Sequence, residues 1–188
     1  MITDLKINAE RKRFYYEKGY WTEKTLGDVW ADRVASHPER TYVSDDQGSS
    51  YTYGEIDDKA ARLAAWLVEQ GVAPGDVVTF QMPTWAEFCI VYVAALKAGA
   101  VMHPLPRNFN DADLVYGMNL VGSRAFICPT KVAKVDFESQ ILSIVDQIPT
   151  LGPVALVDKA APKHSELPTV AEICARYEPI EYPPPHHV

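Results

Sequence analysis

The chain has 188 residues, 47% of them hydrophobic and 23% charged, an ordinary globular balance in a length that closes its own core without disulfide or metal staples. Its 25 acidic and 18 basic residues leave a formal charge of −7, which argues against nucleic acid or an anionic membrane surface as the main partner. The N-terminal MITDLKINAERKRF carries no apolar signal core and no apolar run approaches membrane-spanning length, so a soluble, cytoplasmic protein without a membrane span is expected.

The first predicted helix opens after Asn8, a simple N-cap, and stops at Gly19. It carries the one basic cluster, Lys6 to Lys18, interrupted by Glu10 and Glu17, which reads as a solvated helix face. Thr25-Leu-Gly-Asp28 opens a second helix, and Pro38 ends it. TYVSD at 41–45 and SSYTY at 49–53 predict a hairpin at the edge of a sheet. Thr52-Tyr-Gly-Glu55 is a capping box, in which the threonine oxygen accepts from an early helix N–H and the glutamate reaches back to the cap. Helix 53–70 follows, with Ile56, Ala60, Leu63, Ala64 and Leu67 on one stripe and Asp57, Asp58, Arg62 and Glu69 elsewhere.

After Gly71, a Pro-Gly-Asp turn at 74–76 leads to the strand VVTFQM, 77–82. Thr84-Trp-Ala-Glu87 repeats the capping pattern, which assigns Glu87, like Glu55, to capping and not to catalysis. Helix 85–98 is apolar almost all round and must be buried on two sides, and Gly99 ends it. The strand AVMHPL, 100–105, comes next, its ladder stopped at the carboxyl end by Pro104 and Pro106. Asn110 and Gly122 bracket a further helix, AFIC (125–128) and VALVD (154–158) are strands, and Thr169-Val-Ala-Glu172 caps the last helix. PPPHHV, 183–188, reads as an extended tail outside an α/β domain of residues 1–182.

Short apolar strands alternating with helices predict an α/β fold, a mostly parallel doubly wound sheet with helices on both faces. Three strand ends are followed by proline, at Met82-Pro83, Leu105-Pro106 and Cys128-Pro129, and in open parallel sheets that edge is where ligands bind. No dinucleotide fingerprint, phosphate loop or nucleophile elbow occurs. Cys89, Cys128 and Cys174 have no metal spacing and read as small buried hydrophobes. His37, His164, His186 and His187 sit in loops or the tail, and His103, mid-strand, reads as a core or interface histidine. No metal site is expected. Local chemistry alone describes a sheet domain without a catalytic residue.

Four stretches together resemble a known family. SYTYGEIDDKAARLAAWLVEQGVAPGDVV and QMPTWAEFCIVYVAALKAGAVMHPLPRNF resemble consecutive opening segments of the adenylate-forming enzymes, which include acyl- and aryl-CoA synthetases, peptide-synthetase adenylation domains and firefly-type luciferases. RFYYEKGYWTEKTLGDVW and PTLGPVALVDKAAP fit as well, and are most similar to the branch of medium-chain fatty acyl-CoA and cyclohexanecarboxylate-CoA ligases, and less closely to dihydroxybenzoate-adenylating enzymes. The resemblance implies the N-terminal subdomain of that fold. It also implies a two-step reaction for a longer parent: a carboxylate displaces pyrophosphate from Mg·ATP, and the thiol of coenzyme A then displaces AMP from the acyl-adenylate. The family's Thr/Ser/Gly-rich loop ending in Pro-Lys, its Tyr-Gly-x-Thr-Glu segment, its ribose-binding aspartate and its catalytic lysine do not occur in these residues. ATP, Mg²⁺ and coenzyme A are therefore expected as cofactors of the parent and none for this chain alone, which is expected to be inactive.

By the same resemblance Arg107 lies near where some members place an arginine against a coenzyme A phosphate, the alternative being a solvated arginine. Trp85 is a candidate for the wall of the carboxylic acid pocket, the alternative being packing at the start of a buried helix. Three readings stay open: a portion of an acyl-CoA ligase, a stand-alone protein-binding domain, or the start of an amino-acid or aryl-acid adenylation module. A homodimer is expected, through an apolar face near the carboxyl ends of strands 77–82 and 100–105, because helix 85–98 carries Trp85, Phe88, Ile90, Val91, Tyr92, Val93 and Leu96 around nearly its whole circumference and one sheet face cannot cover them all.

Overall fold

The structure, a computed structural model, describes residues 7–157 and 166–180. Helices α1 (Ala9–Glu17) and α2 (Leu26–Ser36) precede the antiparallel strands β1 (Thr41–Ser44) and β2 (Ser50–Thr52). Helix α3 (Tyr53–Glu69) leads to β3 (Val77–Gln81), α4 (Ala86–Lys97), β4 (Val101–Leu105), α5 (Asp111–Val121) and β5 (Ser123–Pro129). A short ribbon, β6 (Lys131–Val132) and β7 (Val135–Asp136), precedes α6 (Phe137–Ile144), β8 (Val154–Val157) and α7 (Val170–Arg176). The tail at 183–188, His164, Lys6 and Asp158 lie outside the described residues.

The four long strands pair in parallel in the order β4-β3-β5-β8. Side chains alternate between two cores, as a sheet covered on both faces requires. Val78, Phe80, Ala125, Ile127, Ala155 and Val157 pack with α3, α4 and α7, whereas Phe126, Cys128, Val154 and Leu156 pack with α5 and α6. The α/β doubly wound reading is thus what the molecule shows.

The local signals hold at most boundaries. Capping boxes close at Thr25/Asp28, Thr52/Glu55, Asn110/Asp113 and Thr169/Glu172, and Asn8 accepts from the Arg11 N–H. Gly99 is required twice over, by a φ of 68° and by Pro74, whose Cβ would lie 3.2 Å from any added Cβ.

Four expectations need correction. Thr84/Glu87 forms no capping box: Trp85 is the N-cap of α4 and makes no side-chain cap bond. The first N–H of that helix, from Ala86, instead donates to Asp45 Oδ2 at 3.0 Å, while Glu87 accepts from Ser49 Oγ and Tyr51 OH at 3.3 and 3.4 Å. The hairpin β1–β2 is its own two-stranded sheet, not an edge of the parallel one. Pro104 lies inside β4, paired in register with Phe80, which an edge strand tolerates because one row of its N–H groups is unneeded. Last, no residue of α4 is more than partly exposed: Ile90, Val91 and Val93 are buried against α3 and the sheet, and Phe88 and Tyr92 pack partly against the same core, so no wide-open apolar face stands there. No described helix is long and apolar enough to cross a membrane.

Candidate functional site

From β3 the chain crosses through α4 on one face to β4, then returns through α5 on the other face to β5 on the far side of β3. Two crossovers diverging from neighbouring strands leave a crevice at the carboxyl ends of β3 and β5, the topological switch point where open α/β sheets bind ligands. A cleft of about 470 Å³ lies there. Pro83, Thr84 and Trp85 after β3, Arg107 after β4, Lys131 to Ala133 after β5, and Asp46 and Gln47 of the β1–β2 turn line it.

The two residues singled out from the sequence therefore share one cleft. Trp85 is only 9% exposed and belongs to the core packed between α3, α4 and the sheet, and it lines the cleft as well. Arg107 is exposed and stands second in a turn whose closing bond runs from the Phe109 N–H to the Pro106 carbonyl at 3.2 Å. That carbonyl also accepts from Gln81 Nε2 at 2.9 Å.

Sequence reasoning missed the other half of the cleft. Lys131 opens the ribbon β6–β7, whose turn holds Ala133 at a φ of 51°, the one positive φ of a non-glycine residue among the described residues. Such a conformation costs a residue with a Cβ about 1–2 kcal/mol, and strained backbone of this kind gathers at binding sites. Asp46 and Gln47 arrive from the hairpin turn, whose shape Asp45 sets by accepting from the Gln47 and Ser49 N–H groups at 3.0 and 2.9 Å. The hairpin predicted from 41–45 and 49–53 requires a turn here, but does not fix the place where it lands. Arg107 and Lys131 against Asp46 give the cleft an excess of positive charge in a chain of −7, a setting for an anionic group.

Other candidates resolve into structure. His103 is half-buried, its Nδ1 3.0 Å from Thr79 Oγ1, which in turn contacts Ser123 Oγ. Burial pushes its pKa below the usual histidine value and favours the neutral ring. Cys128 is fully buried, and burial followed by the nearby Glu138 charge pushes its thiol far up, so it is inert. Among the described residues no group of three metal-ligating side chains gathers. A hollow of about 520 Å³ between α3, α6 and α7 opens at the amino end of β8, the wrong end of the sheet for the site just described.

The family model described as "AMP-binding enzyme" matches residues 30–187. The medium-chain fatty-acid–CoA ligase of Escherichia coli is 36% identical over 167 residues, 89% of this chain and 30% of that protein. The salicyl-AMP ligase / salicyl-S-ArCP synthetase of Mycobacterium tuberculosis is 28% identical over 172 residues, again 30% of its length. The apo structure of MbtA from Mycobacterium smegmatis superposes with a TM-score of 0.78 at 27% identity, covering 95% of this chain and 32% of that one. The chain spans about 30% of the length of these curated relatives.

Proposed function

Because the chain belongs to the AMP-binding enzyme family, whose chemistry is adenylate-forming ligation, we propose that it supplies the N-terminal α/β portion of an AMP-forming carboxylate–CoA ligase for a fatty or alicyclic acid. The observation that carries this reading is the cleft at the switch point, where Arg107 and Lys131 flank Trp85 beyond the ends of three parallel strands. The 36% identity to a medium-chain fatty-acid–CoA ligase supports the acid class.

The described residues do not fit ATP and Mg²⁺: they form no carboxylate or histidine cluster for the metal and contain no glycine-rich phosphate loop. No step of adenylation is assigned to this portion. The residues do fit a phosphate of coenzyme A. Arg107 would meet its oxygens with a planar fork and Lys131 with a point charge, while Asp46 disfavours an anion on its own side of the cleft. Coenzyme A would supply the thiol that takes the acyl group from the acyl-adenylate. Trp85, held by the core on one side, would form an apolar wall beside the transfer site without taking part in bond making.

The test is an assay of the protein encoded by the complete reading frame, with Mg·ATP and a panel of aliphatic, alicyclic and aromatic acids. Acyl-CoA and AMP should form with medium-chain or alicyclic acids. The likeness to the salicyl-AMP ligase / salicyl-S-ArCP synthetase of Mycobacterium tuberculosis, 28% identical over 172 residues, favours a second reading as an aryl-acid adenylating enzyme. Adenylate that forms only from aromatic acids and passes to a carrier-bound thiol instead of coenzyme A would establish that second reading and reject the first.

A further inference from the structure

Gln81 is a polar residue at the end of the central apolar strand β3, and it is fully buried. Its neighbours in sequence point into the α3–α4 core on one side, while Gln81 itself lies on the opposite face, level with Leu105 of β4. Burying a primary amide costs free energy unless both ends are satisfied. Only one end is. Nε2 donates to the Pro106 carbonyl at 2.9 Å, and among the described residues no donor reaches Oε1. The orientation of the amide is fixed by this bond, because the flipped amide would set two acceptor oxygens against each other.

A methionine or leucine would fill the same volume without the orphaned acceptor and would be the better choice for stability. What the glutamine gains is a grip on one atom. The Pro106 carbonyl opens the turn 106–109 and already takes the Phe109 N–H. A second donor, anchored in the rigid central strand, locks that carbonyl and with it the peptide plane that carries Arg107.

We propose that Gln81 is a positioning residue for Arg107: its amide clamps the Pro106 carbonyl and so holds the guanidinium over the switch-point cleft, ready for a phosphate group. This rests on the reading of Arg107 as a coenzyme A contact. It adds that the contact is set by a buried amide on a different strand, at the expense of stability.

The test uses Gln81→Met, Gln81→Glu, Arg107→Gln and the double variant Gln81→Met/Arg107→Gln in the protein encoded by the complete reading frame. Three quantities are measured: the urea midpoint, the affinity for coenzyme A from an NMR titration, and the backbone order of residues 107–108 without ligand. Gln81→Met should leave the urea midpoint unchanged or raised, lower the order of 107–108, and weaken coenzyme A binding about tenfold, as expected for one lost hydrogen bond to a charged group. The double variant should bind no worse than Arg107→Gln alone, because both act through one contact. Gln81→Glu should keep the turn ordered at mildly acid pH, where a buried protonated carboxyl still donates, and release it as the pH rises. If Gln81→Met leaves the turn ordered, the proposal is overturned. It is equally overturned if Gln81→Met binds coenzyme A like the wild type while Arg107→Gln does not. If Arg107→Gln itself binds like the wild type, the coenzyme A reading fails instead, and the order of 107–108 in Gln81→Met still decides whether the clamp exists.

Discussion

The junction of α2, α3 and α4 and the carboxyl edge of the sheet handle buried polar groups in opposite ways. At the junction, Asp57 accepts from Trp30 Nε1 at 2.7 Å and from Lys97 Nζ at 2.8 Å, so three helices meet on one carboxylate whose partners are satisfied. At the strand ends, Gln81 keeps an acceptor that no donor among the described residues reaches, and Ala133 sits in a left-handed conformation. The first region behaves as a scaffold, with each polar group answered from inside the chain. The second breaks local rules where ligands meet such sheets, and a natural sequence tolerates broken rules chiefly at sites it uses.

The largest expected effect lies on the scaffold side. Lys97 is almost fully buried, its side chain 7% exposed, so Asp57→Ala takes away the carboxylate that faces its ammonium and that Trp30 Nε1 also uses, and should cost about 3 kcal/mol. Replacing both residues, Asp57→Leu with Lys97→Met, should recover much of that loss, since well-packed apolar groups often substitute for a buried pair. Urea unfolding of the single and double variants checks this. A loss below about 1 kcal/mol in Asp57→Ala would mean that Lys97 reaches water, and the contrast between the two regions would weaken.

A smaller effect separates local from distant capping. Glu55→Ala breaks a capping box read directly from the sequence and should cost roughly 0.5–2 kcal/mol. Helix α4 differs, because its first N–H is answered by Asp45 from the hairpin, 41 residues earlier. Asp45→Ala should therefore destabilise by about 1–2 kcal/mol, since it frees the start of α4 and the turn that carries Asp46 to the cleft. Glu87→Ala should cost less, because its bonds to Ser49 and Tyr51 are long, at 3.3 and 3.4 Å. A larger loss in Glu87→Ala than in Asp45→Ala would reverse that ranking.

These caps also mark how far the sequence could be read. Signals that act over three or four residues, such as Thr52 with Glu55 or glycine at the ends of α3, α4 and α5, located most helices. The apolar runs at 77–82, 100–105 and 125–128 marked the parallel strands. The helical pattern puts Asp57 on the polar side of its helix, because nothing near it in the chain announces Trp30 or Lys97. Helix α6 and the ribbon before it give no such signal, since Lys131 to Asp136 shows no strand pattern beyond two-residue pieces. Trp85 and Arg107 were named through a family resemblance, but their meeting with Lys131 and Asp46 depends on strand order. That order is set by packing across the sheet, which no short window contains.

His103 gives a pH test of the sheet between the two regions. Its folded pKa lies below the unfolded value because burial disfavours the charged ring. The unfolded chain then binds more protons in the window between the two values, so stability rises with pH there. The contribution is fully present above the unfolded pKa of about 6.5, and it is lost as the pH falls through that value toward the folded one. Urea midpoints from pH 7.5 down to pH 5 should drop more steeply in the wild type than in His103→Gln. Parallel curves would show that the ring charges in place, with Thr79 free to turn away.

The smallest effect tests whether the strain at the strand ends is kept for the site. Ala133 at a φ of 51° costs about 1 kcal/mol that glycine would not incur, although glycine gives back part of this through the greater freedom of the unfolded chain. Ala133→Gly should therefore raise stability by about 0.5 kcal/mol, a shift readable in the urea midpoint. The same change loosens the ribbon that sets Lys131 beside the cleft, so coenzyme A should bind more weakly to a more stable chain. Opposite signs for stability and binding are what strain held for function requires. If Ala133→Gly raises stability and leaves binding untouched, the ribbon is only a tight connection between β5 and α6. The cleft would then rest on Arg107 and its clamp alone.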